Sequence, residues 1–103
     1  MLGSPEISIV IPVYNEEESL PQLFKELYPV MENLQRSFVI IFINDGSRDK
    51  SFAMLYDFQK EHEKTVRVID LNGNFGQHMA ITSGFANVRG KYIITLDADL
   101  QNP

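Results

Sequence analysis

Apolar residues along the chain fall into four short runs rich in β-branched side chains, separated by stretches with helical spacing. The runs are Ile7 to Val13 (ISIVIPV), Phe38 to Ile43 (FVIIFI), Val66 to Leu71 (VRVIDL) and Tyr92 to Leu96 (YIITL). The first, second and fourth are nearly continuous in apolar residues. That is the pattern of strands covered on both faces of a parallel sheet, not of strands with one wet face.

The first helical pattern runs from near Ser19 to near Gln35, with Leu20, Leu23, Phe24, Leu27, Val30, Met31 and Leu34 forming the apolar stripe. Pro21 suits a first turn, where a missing N–H is harmless. Pro29 falls inside the pattern and is expected to kink or split the helix. A second helix is predicted from about Lys50 to His62, with Phe52, Leu55 and Phe58 facing inward and Ser47 or Asp49 as candidate caps. A third is predicted from about Gly76 to Val88, packing through Ala80, Ile81, Gly84, Phe85 and Val88 and stopped by Gly90. The alternation predicts a Rossmann-like α/β domain whose parallel sheet carries helices on both faces. Right-handed crossovers favour the strand order 3-2-1-4.

At 103 residues the chain suits one small domain with a thin core, and 44% hydrophobic with 22% charged residues is a globular composition. The formal net charge is −5, and no basic run is present, so nucleic acid is not an expected partner. An acidic protein can still hold an anionic nucleotide where a divalent cation bridges the two. Cysteine is absent, which excludes disulfides and fits a reducing compartment. No apolar stretch approaches the roughly 20 residues of a membrane span, and no secretory signal opens the chain.

The polar motifs follow directly on the carboxyl ends of the predicted strands: Tyr14-Asn15-Glu16, Asn44-Asp45-Gly46-Ser47, Asn72-Gly73-Asn74-Phe75-Gly76 and Asp97-Ala98-Asp99-Leu100-Gln101. Open α/β sheets bind ligands at that edge, where strand order reverses, here between strands one and four. In an extended segment Asp97, Asp99 and Gln101 offer oxygens to one small volume, a donor set suited to Mg2+ or Mn2+. A bare D-x-D is more often a solvated strand-to-loop junction. Its place after a buried strand, beside three similar motifs, favours the metal reading. Asp45, read as the start of a tight turn, is ordinary turn chemistry or a hydrogen-bond acceptor for a base or ribose. Tyr14 to Glu16 either contacts a base or leads into the first helix. The glycine-flanked turn Asn72 to Gly76 could approach a phosphate through backbone N–H groups, but it makes neither a dinucleotide fingerprint nor a P-loop. His78, in the first turn of the third helix, and His62 read as structural or solvated.

Together SIVIPVYNEEESLPQLF, IFINDGSRDKS and LNGNFGQHMAITSGFANVRGKYIITLDADLQNP resemble the family-2 glycosyltransferases of the GT-A fold, over nearly the whole chain. Within that family the likeness is to polyprenyl-phosphate glycosyltransferases, which include the aminoarabinose-type transferases and the dolichol-phosphate mannose synthases. The resemblance implies that Pro12, Tyr14 and Glu16 line the nucleotide site and that Ile43 and Asp45 hold the uracil or ribose. It implies also that Asp97, Ala98 and Asp99 contact the nucleotide and that Asp97, Asp99 and Gln101 hold the metal. Asn44 stands where many members carry aspartate, and Gly73 where the aminoarabinose-type enzymes usually carry arginine.

The implied reaction is inverting transfer of a sugar from a UDP-sugar to a polyprenyl phosphate with Mg2+ or Mn2+ as cofactor. No general base is evident, and an anionic phosphate acceptor needs none. The chain corresponds only to the first part of a family member, so it is expected to be the donor-binding half, soluble and on the cytoplasmic side, with the acceptor site and membrane segments beyond it. Self-association is expected, either through the edge of the fourth strand, where only Lys91 is charged, or through a bared face near the third helix. Rival readings are a sugar nucleotidyltransferase, which usually has a basic glycine-rich loop after strand one, and a non-catalytic nucleotide-binding module.

Overall fold

The computed structural model describes residues 5–71 and 92–98. Its elements are β1 (Ile7–Val13), α1 (Leu20–Asn33), β2 (Phe38–Asp45), α2 (Ser51–Glu61), β3 (Val66–Leu71) and β4 (Tyr92–Thr95). The strands form one sheet in the order β3-β2-β1-β4, and every pairing is parallel, as the alternation predicts. The predicted third helix lies outside the described residues.

Period-two alternation sends each strand's residues to opposite faces of the sheet. One face carries Ile7, Ile9, Ile11 and Val13 of β1 with Ile40 and Phe42 of β2, and both described helices pack on it through Leu20, Leu23, Met31, Leu55 and Phe58. Both crossovers, β1 to β2 and β2 to β3, step across the sheet in the same direction, so a common handedness lays α1 and α2 on the same side. The rings of Phe24 and Phe58 stack at 4.0 Å between centroids, and both meet Phe42 edge-on, which ties the two helices together over β2. Val10, Val39, Ile41 and Ile43 form a second, smaller cluster, which the alternation assigns to the opposite face.

Several expectations need correction. Pro29 does not split α1, which is continuous from Leu20 to Asn33. Pro29 and Lys25 are both exposed, so the carbonyl that loses its helical partner can turn to solvent. Val30 and Leu34 are exposed rather than packed: Val30 sits at the margin of the stripe, and Leu34 lies past the last helical residue. The chain leaves α1 through Gln35 at φ 55, a left-handed exit made without glycine. Phe52 is 39% exposed and stacks on Tyr56 on the outer side of α2, so Leu55 and Phe58 carry the packing. Strand β4 is exposed along its length and not covered on both faces, because it stands at the sheet edge and pairs only with β1 among the described residues.

Strand β2 runs two residues further than predicted and includes Asn44 and Asp45. Asp45 therefore ends a strand, paired with Leu71, and the turn begins at Gly46, whose φ of 79 a side chain would resist. Asn44 pairs across the ladder with Asp70, and its Nδ2 donates to Asp70 Oδ1 at 2.7 Å. That bond fixes the amide orientation, since the reverse would set two oxygens together. Asn44 is 3% exposed, and its Oδ1 has no hydrogen-bond partner among the described residues. Asn44→Asp replaces the donor with a second carboxylate against Asp70. It should lower urea stability by about 1–3 kcal/mol at neutral pH. Asp70→Asn in the same chain should relieve the loss, because it removes one of the two facing carboxylates.

Candidate functional site at the carboxyl edge of the sheet

The register aligns the strand ends. Pro12 pairs with Ile43, and two residues beyond the Val10–Thr95 pair of β1 and β4 come Pro12 and Asp97. Leu96 continues the ladder by donating its N–H to the Val10 carbonyl at 3.2 Å. Pro12, Ile43 and Asp97 thus stand level across β2, β1 and β4, around the point where strand order reverses.

Alternation also sorts these residues by face. Asp45 and Ile43 share the face of Ile41, while Asn44 shares the face of Phe42. On β4, Leu96 and Ala98 pack into the helix-covered cluster, which assigns Asp97 between them to the other face. Pro12, Ile43, Asp45 and Asp97 therefore gather on one face, opposite α1 and α2. Asp45 is buried and Asp97 exposed. This face carries one buried carboxylate, Asp45, and one exposed carboxylate, Asp97, beside the fully buried side chains of Val10 and Ile43.

Of the remaining predicted positions, Tyr14 is 41% exposed just past β1, and Glu16 is half-buried in the loop before α1. Ala98 is buried on the helix-covered side, so its methyl contributes to the core. Asp99, Gln101, the Asn72 to Gly76 turn and His78 lie outside the described residues. Among the described residues no cluster of three or more acidic, histidine or cysteine side chains could hold a metal ion. Asp97 is the described member of the predicted ligand set.

The sequence reading missed how the loop after β1 is joined to the loop after β2. Asn15 donates its N–H to Ser47 Oγ at 2.9 Å, and its Oδ1 accepts the N–H of Arg48 at 2.8 Å and of Asp49 at 3.3 Å. Glu16 donates its N–H to Ser51 Oγ at 2.7 Å, and Glu17 donates its N–H to Asp49 Oδ2 at 3.2 Å. Neither predicted cap acts as the helix's N-cap residue, which is Lys50. Ser47 serves Asn15 instead, while Asp49 Oδ1 accepts the first helical N–H, of Ser51, at 2.8 Å. The available signals were Asn15, a residue type tolerated at positive φ, and the spacing of Ser47, Asp49 and Ser51.

Asp49 is the charged centre of this junction. Burial raises its pKa, but hydrogen bonds from the Ser51 hydroxyl and from the N–H groups of Ser51, Glu17 and Asp49 itself outweigh that and hold it below the ordinary carboxylate value. A depressed pKa contributes stability above the unfolded value and loses it as pH falls through the folded one. Asp49→Asn should therefore lower stability at neutral pH, by less than about 1 kcal/mol because solvent screens this largely exposed carboxylate. In urea titrations the gap from wild type should hold constant above about pH 5 and close below about pH 4.

Residues 8–103 match the family described as Glycosyl transferase family 2. The chain is 48% identical over 98 residues to an undecaprenyl-phosphate 4-deoxy-4-formamido-L-arabinose transferase of Enterobacter sp. (strain 638), covering 95% of this chain and 30% of that protein. It is 50% identical over 97 residues to the protein of the same name from Pseudomonas fluorescens (strain SBW25), covering 94% of this chain and 28% of that one. The chain thus spans under a third of the length of these curated relatives. Among solved structures, a glucosyl-3-phosphoglycerate synthase from Mycobacterium tuberculosis in complex with Mn2+, UDP and glucosyl-3-phosphoglycerate superposes with a TM-score of 0.73 at 21% identity, over 96% of this chain and 35% of that one. A mannosyltransferase from Pyrobaculum calidifontis in complex with GDP-Man and Mn2+ superposes with a TM-score of 0.69 at 18% identity, over 94% of this chain and 28% of that one. Strand order, pairing and these superpositions agree on the GT-A fold, and the family match covers nearly the whole chain: it belongs to glycosyl transferase family 2.

Proposed function

We propose that this chain is the donor-binding part of an inverting, metal-dependent glycosyltransferase that takes a UDP-sugar and delivers the sugar to a polyprenyl phosphate on the cytoplasmic side of a membrane. The observation that carries the reading is the gathering of Pro12, Ile43, Asp45 and Asp97 on one face at the carboxyl edge of the sheet. The two relatives named for transfer to undecaprenyl phosphate support the acceptor class. The Mn2+ and UDP in the complex of a structural neighbour support the donor and metal classes. Family membership argues against both a sugar nucleotidyltransferase and a non-catalytic module.

In this reading Tyr14 and Pro12 flank the base, and Asp45 accepts a hydrogen bond from the base or ribose. Glu16 lines the nucleotide site with the backbone of Ala98, whose methyl belongs to the core, and Asp97, Asp99 and Gln101 are the metal ligands. When bound, a divalent cation would stabilise the negative charge of the departing diphosphate. The acceptor phosphate is anionic at neutral pH and attacks without a general base, in keeping with the absence of any assigned base in this part of the protein. In the relatives, most of the length lies outside the part that this chain matches.

Calorimetric titration with UDP, with and without Mn2+, tests the assignment. Wild type should bind more tightly with the metal. Asp99→Ala should abolish that gain, and Asp99→Asn should reduce it strongly. Asp45→Ala should weaken binding about tenfold or more, the scale of a hydrogen bond to a charged group, and added Mn2+ should not restore it. Unchanged affinity in Asp99→Ala would remove the metal assignment. The exposed apolar edge of Tyr92, Ile93 and Ile94 also leads us to propose self-association of this chain. Sedimentation at tens of micromolar should show oligomers, and a clean monomer would refute it.

A further inference from the structure

Tyr14 and Asp45, two of the residues assigned to the nucleoside, are held from both sides. On one side is the last register pair of β1 and β2, Val13 with Asn44. On the other is the hydrogen bond from the Asn15 N–H to Ser47 Oγ at 2.9 Å. Between these fixed points lie only Tyr14 on one strand end and Asp45 with Gly46 on the other. Val13, Tyr14, Asn15, Ser47, Gly46, Asp45 and Asn44 form a closed ring of chain, and Asn15 is its clasp.

The clasp has particular requirements. Asn15 has φ 53, in the left-handed region that glycine, asparagine and aspartate enter at low cost. Its Oδ1 also accepts from the N–H groups of Arg48 at 2.8 Å and Asp49 at 3.3 Å. Two backbone donors converging on one atom identify it as the oxygen. Glycine satisfies the backbone and not the acceptor, and alanine satisfies neither. Aspartate satisfies both.

We infer that Asn15 is a positioning residue for the nucleoside: through Ser47, Arg48 and Asp49 it sets the separation of Tyr14 and Asp45 without itself touching the ligand. The inference rests on the proposed nucleotide site. It adds that base and ribose recognition depends on a bond network outside the contact residues, and that the metal side of the site is independent of it.

The test compares wild type, Asn15→Gly, Asn15→Asp and Ser47→Ala as the complete 103-residue chain. Titrations use UDP with Mn2+ by calorimetry and uridine without metal by NMR, with thermal unfolding followed in parallel. Asn15→Gly should weaken UDP and uridine by the same factor, about tenfold, the scale of lost loop-holding hydrogen bonds. Asn15→Asp should return affinity to within about threefold of wild type. Ser47→Ala, which keeps the Oδ1 acceptor but removes the Asn15 N–H partner, should give a smaller loss on both ligands and serves if Asn15→Gly fails to fold. A role in stability alone would lower the melting temperature and leave both affinities unchanged, which overturns the inference. A loss on UDP that uridine does not share would place Asn15 on the phosphate side and also overturn it. If wild type binds neither ligand, the nucleotide reading itself falls and takes the inference with it. Binding by wild type with unaltered variants removes the inference alone.

Discussion

The parallel register of β1 against β2 and β4 is the constraint on which the rest depends. It sets Pro12, Ile43 and Asp97 level near the carboxyl ends of three neighbouring strands. A shift of one residue in β2 would send Asp45 to the helix-covered face and put Asn44 in its place, because strand side chains alternate with a period of two. The register is itself held by what the strands bury. Ile9, Ile11, Ile40 and Phe42 must meet α1 and α2, and Val10, Ile41 and Ile43 must meet one another on the other side. Apolar packing thereby determines which carboxylate reaches the site.

The two faces at the sheet's carboxyl edge have divided roles. The helix-covered face closes on the structure: Asn44 binds Asp70, Ala98 joins the core, and Phe24, Phe42 and Phe58 pack together. The opposite face gathers the residues assigned to the ligand. In the two dipeptides Asn44-Asp45 and Asp97-Ala98 this division is visible between neighbours, with one residue committed to the fold and the other available for chemistry. The stitched loops add a second level of order. Asn15, Ser47, Asp49 and Ser51 bring the chain out of β1 and β2 along fixed paths before α1 and α2 begin.

Much of this was legible in the sequence. Nearly continuous runs such as ISIVIPV and FVIIFI indicate buried parallel strands, and the single crossover direction gives their order. The placement of the candidate residues Pro12, Ile43, Asp45 and Asp97 at one sheet edge was legible because they stand at or near strand ends, where an open α/β sheet places ligands. What was not legible came from three-dimensional context. A mid-helix proline such as Pro29 is less disruptive where its freed carbonyl can reach solvent, and Lys25 is exposed. Tyr92, Ile93 and Ile94 have the composition of a central strand but occupy an edge. Asp45 reads as a turn former because Gly46 follows it, yet the ladder with β3 continues through Leu71. Asn15 carries hydrogen bonds to residues more than thirty positions away, which no local pattern encodes.

The most direct test of the central claim maps where a nucleotide touches the chain. Backbone amide shifts of the isotopically labelled protein, followed during titration with UDP and Mn2+, report each position separately. The account predicts the largest changes at Val13 to Glu16, Ile43 to Ser47, and Asp97 and Ala98, with little change at Leu23, Leu55 and Phe58 on the helix-covered face. Changes centred on α1 and α2, or none at saturating nucleotide, would contradict it.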